Sequence, residues 1–285
     1  MATLEQFAST RYEDPLARID WGAVDRDCWW LPPQALSLAE VAPFEALPLK
    51  TRQGLSQLEY VHLLQAGLWL ESHFMARMTR LAHRTVDIGR RRRLLSEVRE
   101  EAGHSLMFVE LLDRSGYGVE VDRSPSVRLI DTLGRLLPTD SALFWAMTVV
   151  AEELPDRLNR RLRRGVQDAT LSAVVYRIAD IHLRDEAQHA AYSRTQLKAA
   201  SERTSRLLRA VLSPFLSLAV DLYARYVCFP PAALYERAGL LPGTTWRRLA
   251  LANPVRQQQV RELLAPSLAF LRRNGWRVRS RWGWF

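Results

Sequence analysis

Residues 182–189 read His-Leu-Arg-Asp-Glu-Ala-Gln-His. On an α-helix each residue advances about 100° around the axis, so His182, Glu186 and His189 fall within an arc of roughly 60°. Three metal-binding side chains then point one way from little more than two turns. A shorter form occurs earlier, Glu101-Ala-Gly-His104. Two Glu-x-x-His motifs on helices, completed by one Glu from each of two further helices, are what a carboxylate-bridged pair of metal ions inside a four-helix bundle requires. Either motif alone is weak, because exposed helices carry Glu-x-x-His by chance. The pattern therefore asks for two more inward-facing glutamates, one ahead of each motif.

The first is Glu71, inside Leu-Trp-Leu-Glu-Ser-His-Phe. A carboxylate in an apolar stretch is costly to bury unless it is paired or metal-bound; the other reading is an exposed Glu on the polar face. The second follows the apolar run Leu143–Ala151, where both Glu152 and Glu153 stand ready. Roughly 30 residues separate Glu71 from Glu101, and about 34 separate Glu152 from Glu186, room for a helix, a turn and a return helix. The chain thus carries a weak internal repeat of two helix pairs. Four carboxylates and two imidazoles suit iron or manganese, and there is no thiol cluster to suggest zinc or iron–sulfur. Glu100 and Asp185 each precede a motif, where a carboxylate can hold the free ring nitrogen of a ligand histidine or serve as surface charge. His182 is either a third imidazole ligand or a buried hydrogen-bonding histidine.

These residues need long helices to carry them. Leu58, Val61, Leu64, Leu68 and Phe74 recur at helical spacing between about Gly54 and His83. A second helix runs from Arg90 to about Ser115, ended by Gly116 and Gly118. Residues 124–137 are expected to form a connecting helix. Thr139 or Asp140 is placed to cap the third helix, in which Pro155 removes a donor from the carbonyl of Ala151. The fourth spans about Thr170–Ala199. The fold class is therefore all-α, one domain over residues 1–285, with its bundle core at about 54–200. A proline-punctuated arm over 1–50 is anchored by Trp29 and Trp30. Further helices (Leu207–Val227 among them) and an Arg/Trp tail fill 203–285.

The order Glu71, Glu101-x-x-His104, Glu152, His182-x-x-x-Glu186-x-x-His189 resembles the AurF-like di-iron N-oxygenases, over roughly residues 55–200. The resemblance implies a ferritin-like helical bundle that binds two iron ions (Fe2+/Fe3+) and takes O2 as co-substrate. It implies oxidation of a small-molecule amine to a hydroxylamine, nitroso or nitro product in specialised biosynthesis. It also implies that His182 is a seventh ligand, and that Glu152, directly after Ala151, is the ligand in preference to Glu153. No Lys or Arg stands just before Glu71 to hold an aryl carboxylate.

The net charge is +9, and nearly all of the 40 basic residues are arginines; the lysines are Lys50 and Lys198. Such a surface attracts nucleic acid, anionic membrane or an acidic carrier protein; the expectation here is a solvated basic face. The tail is expected to pack on its own domain or across a homodimer contact. Two cysteines, Cys28 and Cys228, make neither a disulfide framework nor a zinc cluster. The first residues show no secretory pattern, and the apolar run Leu143–Ala151 is short of the ~20 residues of a membrane span. These readings point to a cytoplasmic protein. With no flavin or nicotinamide motif in view, an external electron donor is expected. Carbon hydroxylation or desaturation, on a carrier-protein-linked or tRNA-linked substrate, and iron storage use the same bundle.

Overall fold

The structure, a computed structural model, describes residues 12–120, 127–128, 131–132, 135, 137–164 and 171–281. Its helices are α1 (Leu49–Arg84), α2 (Ile88–Arg114), α3 (Ala142–Arg164), α4 (Ala173–Arg203), α5 (Arg206–Cys228), α6 (Ala232–Arg237), α7 (Gly243–Ala252) and α8 (Pro254–Arg273). No strand forms among the described residues; Trp29 and Leu171 meet in an isolated bridge. α1 packs along α2, and α3 along α4, as short connections between antiparallel helices require. The two hairpins face each other and enclose the centre described below.

Local chemistry sets the ends of these helices. α1 starts directly after Pro48, ahead of the expected start near Gly54. A proline suits the residue before a helix, and nothing at Gly54 calls for a break: a side chain there would meet open space. Asp87 accepts the Arg90 N–H at 2.6 Å and caps α2. Gly116 (φ +72°) and Gly118 (φ +69°) turn the chain out of that helix. The cap of α3 is Ser141, not Thr139 or Asp140: its hydroxyl accepts the Phe144 N–H at 3.1 Å. Asp140 instead adopts φ +69° and accepts from Trp145 Nε1 at 2.7 Å and from Arg90 at 2.9 Å. Ser172 caps α4 through the Val175 N–H. The connecting helix expected over 124–137 falls partly outside the described residues; its described members are helical at 127–128, 131–132 and 135.

The apolar faces gather into two clusters. One joins Met78, Trp145, Val149, Leu216, Leu264 and Trp276. The other joins α1, α2 and α4 to the N-terminal arm through Trp30, Leu36, Leu38 and Phe44. The arm runs as short 3-10 turns and one α-turn at Ala42–Glu45. Trp30 is its anchor, 1% exposed, with Tyr60 and Tyr117 edge-on at 6.1 and 5.8 Å.

The described part of the C-terminal tail, as far as Arg281, packs on its own chain. Trp276, Val278 and Ser280 turn inward while Arg277, Arg279 and Arg281 turn outward. The backbone N–H groups of Arg277, Arg279 and Arg281 donate to Ser213, Ser217 and Asp221 at 2.9, 3.0 and 3.2 Å. An extended chain advances by two residues about as far as a helix advances by four, so the tail keeps register along α5. One described stretch, Arg206–Arg237, is long and apolar enough to cross a membrane by length and composition, and 28% of its most apolar window is buried. The sequence reading rests on the unbroken run Leu143–Ala151, whereas Asp221 and Arg225 interrupt the later stretch but leave its average apolar enough for a span.

Pro155 sits inside α3. It has no N–H to give the Ala151 carbonyl, and the buried Tyr223 hydroxyl on α5 donates to that carbonyl at 3.1 Å. Tyr223→Phe leaves a buried acceptor unpaired and should cost about 1–3 kcal/mol, read as a lowered urea midpoint at unchanged slope. A midpoint equal to the parent's would show that the hydroxyl contributes nothing there.

Candidate metal centre

Each hairpin brings its share of the set to one place. Glu71 comes from α1, Glu101 and His104 from α2, Glu152 from α3, and His182, Glu186 and His189 from α4. None of the seven is more than 7% exposed. Their donor atoms form two groups, Glu71–His104–His182–Glu186 and Glu101–Glu152–Glu186–His189, each within 4.8 Å. Glu186 belongs to both. Glu153 lies elsewhere: it accepts from Arg157 at 2.8 Å and also from Arg194 and Ser267. Consecutive helix residues diverge by about 100°, so only one of the two glutamates can face the cluster, and it is Glu152.

The ring nitrogens are committed in pairs. His104 Nδ1 lies 3.2 Å from Glu101 and 3.4 Å from Glu186, while its Nε2 lies 3.2 Å from Asp185. His189 Nδ1 lies 3.0 Å from Glu101 and 3.4 Å from Glu186, while its Nε2 lies 2.9 Å from Glu100. The acids cross over: Glu100 on α2 holds the α4 histidine, and Asp185 on α4 holds the α2 histidine. An outer carboxylate of this kind fixes the tautomer and leaves the inner nitrogen free to ligate. His182 Nε2 lies 3.6 Å from Glu71 and 3.8 Å from Glu186.

Sequence reasoning missed the partner of His182. The Asn159 side-chain amide stands 3.1 Å from its Nδ1, and either end of that amide can face the ring after a flip. Asn159 lies two turns beyond Glu152 on the same face of α3, which is the signal that would have found it. The Phe108 ring stacks on His182 with centroids 5.6 Å apart and planes 26° from parallel. Gly67 permits this, since a Cβ there would meet Phe108 at 2.9 Å. Asn159→Ala frees the His182 ring to turn. It should weaken metal binding about 10–100-fold, measured by competition with a chelator; equal retention by parent and variant would remove Asn159 from the site.

The electrostatics of the bare cluster suit cations. Burial, followed by the neighbouring carboxylates, raises Glu71 and Glu152 well above the usual carboxylate range. Burial also acts against Glu101 and Glu186, but His189 and hydrogen bonds from the partner carboxylates outweigh it, and both lie low. Burial opposes the charged form of His104 as well, yet Asp185 and Glu101 raise it to about 10. His182, which lacks an outer carboxylate, is pushed down to about 4 by burial, with His104 and His189 adding to the effect. Among the described residues the buried Glu186 Oε2 has no hydrogen-bond partner, and His189 Nδ1 faces only the ligand carboxylates Glu101 and Glu186. Buried polar atoms are rarely left unpaired, and four buried carboxylates repel one another unless cations lie between them. The residues fit a pair of metal ions.

A helical bundle with buried carboxylates and imidazoles on four facing helices defines a metalloprotein of the ferritin-like class. The comparisons name its family. Residues 1–275 match the family described as P-aminobenzoate N-oxygenase AurF, and the chain belongs to that family. It is an oxidase or oxygenase built around a carboxylate–histidine metal centre. An uncharacterized protein of Mycobacterium bovis, Mb0909, is 23% identical over 274 residues, covering 93% of this chain and 79% of the relative. The uncharacterized Rv0885 of Mycobacterium tuberculosis matches at the same identity and coverage. Two variants of an R2-like ligand-binding oxidase, each with an aerobically reconstituted Mn/Fe cofactor, share the fold at TM-score 0.56 and 15% identity. Both alignments cover 96% of this chain, with 90% and 91% of the respective structures.

Proposed function

We propose that the chain binds two irons on Glu71, Glu101, His104, Glu152, His182, Glu186 and His189, and uses O2 to oxygenate the nitrogen of a small-molecule amine. The observation that carries this reading is the third imidazole. His182 joins His104 and Glu71 on one side of the shared Glu186, so that side is richer in nitrogen than the other. When bound and reduced, the ion pair supplies the activation of O2. Glu186 is common to both donor groups, and the Glu101 carboxylate lies within reach of both His104 and His189; with Glu71 and Glu152 they would supply the four carboxylates that hold the ions. Glu100, Asp185 and Asn159 hold the three rings in the orientation that aims one nitrogen of each inward. The apolar walls beside Glu71 and Glu152 keep water from the reacting nitrogen and orient the amine. An external donor supplies the electrons.

The test uses protein loaded with iron, reduced, and exposed to isotopically labelled O2 with an accepted amine. Nitrogen-bound label in the product supports the reading. Label on carbon, or desaturation, moves the protein to another reaction. Because the R2-like ligand-binding oxidase variants of the same fold hold an Mn/Fe cofactor, loading is repeated with manganese and iron together. A centre that takes one of each would replace the two-iron assignment.

A further inference from the structure

The first turns of α2 carry an open basic face. A groove of about 370 Å³ runs along them, lined by Ile88, Arg91, Arg92, Leu95, Ser96 and Arg99. Ile88 is 72% and Leu95 48% exposed, so apolar surface stands among the charges. The one acid between Ile88 and Arg99 is Glu97, which is buried and paired with Arg93. Arg90 is paired with Asp140. Arg91, Arg92 and Arg99 have no carboxylate partner among the described residues. Arg91 donates to the carbonyls of Ala82, His83 and Thr85, and Arg99 lies on the Tyr12 ring at 4.5 Å. The charge of these three is left for something outside the chain.

The same face borders the metal centre. Arg92, Ser96 and Glu100 follow one another at i, i+4 and i+8, on one stripe of the helix. The Glu100 carboxylate lies 2.9 Å from His189 Nε2. Across the seam on α4, Asp185 lies 3.2 Å from His104 Nε2. Both histidines are buried, but the side chains of Glu100 and Asp185 are 24% and 31% exposed. One carboxylate and one imidazole thus separate solvent from the inner nitrogen of each ring. One turn further along α2, Tyr12 and Pro15 of the N-terminal arm lie against Gly103. The open part of the helix is therefore the groove and the stripe that ends at Glu100.

We infer that this face docks a small acidic protein that carries one electron at a time, and that its electrons enter the centre through Glu100 and His189. The inference names the external donor of the function proposed above and rests on that reading. Each docked carrier is oxidised by one electron and reduces one Fe3+ to Fe2+; two dockings reduce the pair, and no atom is transferred. Opposite charge speeds the encounter and sets its orientation, while Ile88 and Leu95 supply apolar contact at the middle of the patch. Nucleic acid or an anionic membrane would answer to the same arginines, but neither would gain from lying one carboxylate away from a ligand histidine.

The probe is an acidic ferredoxin with one [2Fe–2S] cluster. Calorimetry measures its binding, in the oxidised state, to the metal-loaded chain. Affinity should fall at least about 10-fold between roughly 50 and 500 mM salt, and by a similar factor in the double variant Arg92→Glu, Leu95→Glu. Both positions are exposed on α2, so the fold should hold. Arg248→Glu, exposed on α7, is the matched control and should bind as the parent does. Stopped-flow absorbance then follows reduction of the ferric pair. The double variant should be reduced more slowly by reduced ferredoxin, and at the parent's rate by reduced phenazine methosulfate, which is small and uncharged. Equal ferredoxin binding by parent and double variant, or no binding by the parent, overturns the inference. Binding of RNA or of anionic vesicles that is lost in the double variant, without binding of ferredoxin, overturns it too and gives the face to that partner. Ferredoxin-driven reduction without a nitrogen-oxygenated product overturns the reaction assigned above and leaves the docking face standing.

Discussion

Glu186→Ala should lower the metal content of the reconstituted protein from about two ions per chain to less than one. Glu186 is the residue common to both donor groups, so its loss removes a ligand from each side at once. The apo fold should survive. Glu186 is one of four buried carboxylates that repel one another without metal, so helical content by circular dichroism should match the parent. Elemental analysis after anaerobic loading decides, and two retained ions would dismiss the site. Glu153→Gln is the matched control. It weakens the ion pairs to Arg157 and Arg194 and the contact with Ser267, for a stability cost of about 1–3 kcal/mol, and keeps both metals. Metal loss at Glu153 with retention at Glu152→Ala would show that α3 presents the other glutamate.

His182→Ala should keep the bundle folded, alter one metal and remove the conversion of an amine to its hydroxylamine, nitroso or nitro product. The truncated ring touches Phe108 and His104, so the fold loses packing at one point only. The ring is also the histidine of the set whose proton affinity is pushed down, to about 4. Against burial, the neighbouring carboxylates raise His104 and His189 instead, so protons compete with a metal at those two rings more than at His182. The loss of turnover should exceed the roughly 10–100-fold that follows removal of an outer partner. Product mass and metal content together make the measurement. Parent levels of both would reduce His182 to a buried polar residue, and the case for oxygen transfer to nitrogen would go with it.

The four long helices and the convergence of seven chemical side chains were legible because both depend on local spacing. A period near 3.6 in the apolar residues marks the helices, and i, i+3 and i, i+4 spacing aligns Glu101 with His104 and His182 with Glu186 and His189. What depends on contact between distant segments was not legible. Asn159 meets His182 across two helices, and Tyr223 reaches the Ala151 carbonyl from α5. Glu100 and Asp185 were marked as holders of ring nitrogens, but the exchange of partners between hairpins has no signature in either motif. The cap at Ser141 escaped because Asp140, an equally good cap by type, took a left-handed backbone and turned its carboxylate to Trp145 and Arg90.

That exchange makes the centre an interlock. The outer acid of each Glu-x-x-His motif serves the histidine of the other, so neither α1–α2 nor α3–α4 contains a complete ligand shell of its own. A charge lost at Glu100 is felt first by a ring on α4, and one lost at Asp185 by a ring on α2. Sliding α4 along α2 by one helical turn, about 5.4 Å, would break both outer hydrogen bonds together. A pair of metal ions held by these seven residues would therefore tie the relative register of the two hairpins to the loading of the centre.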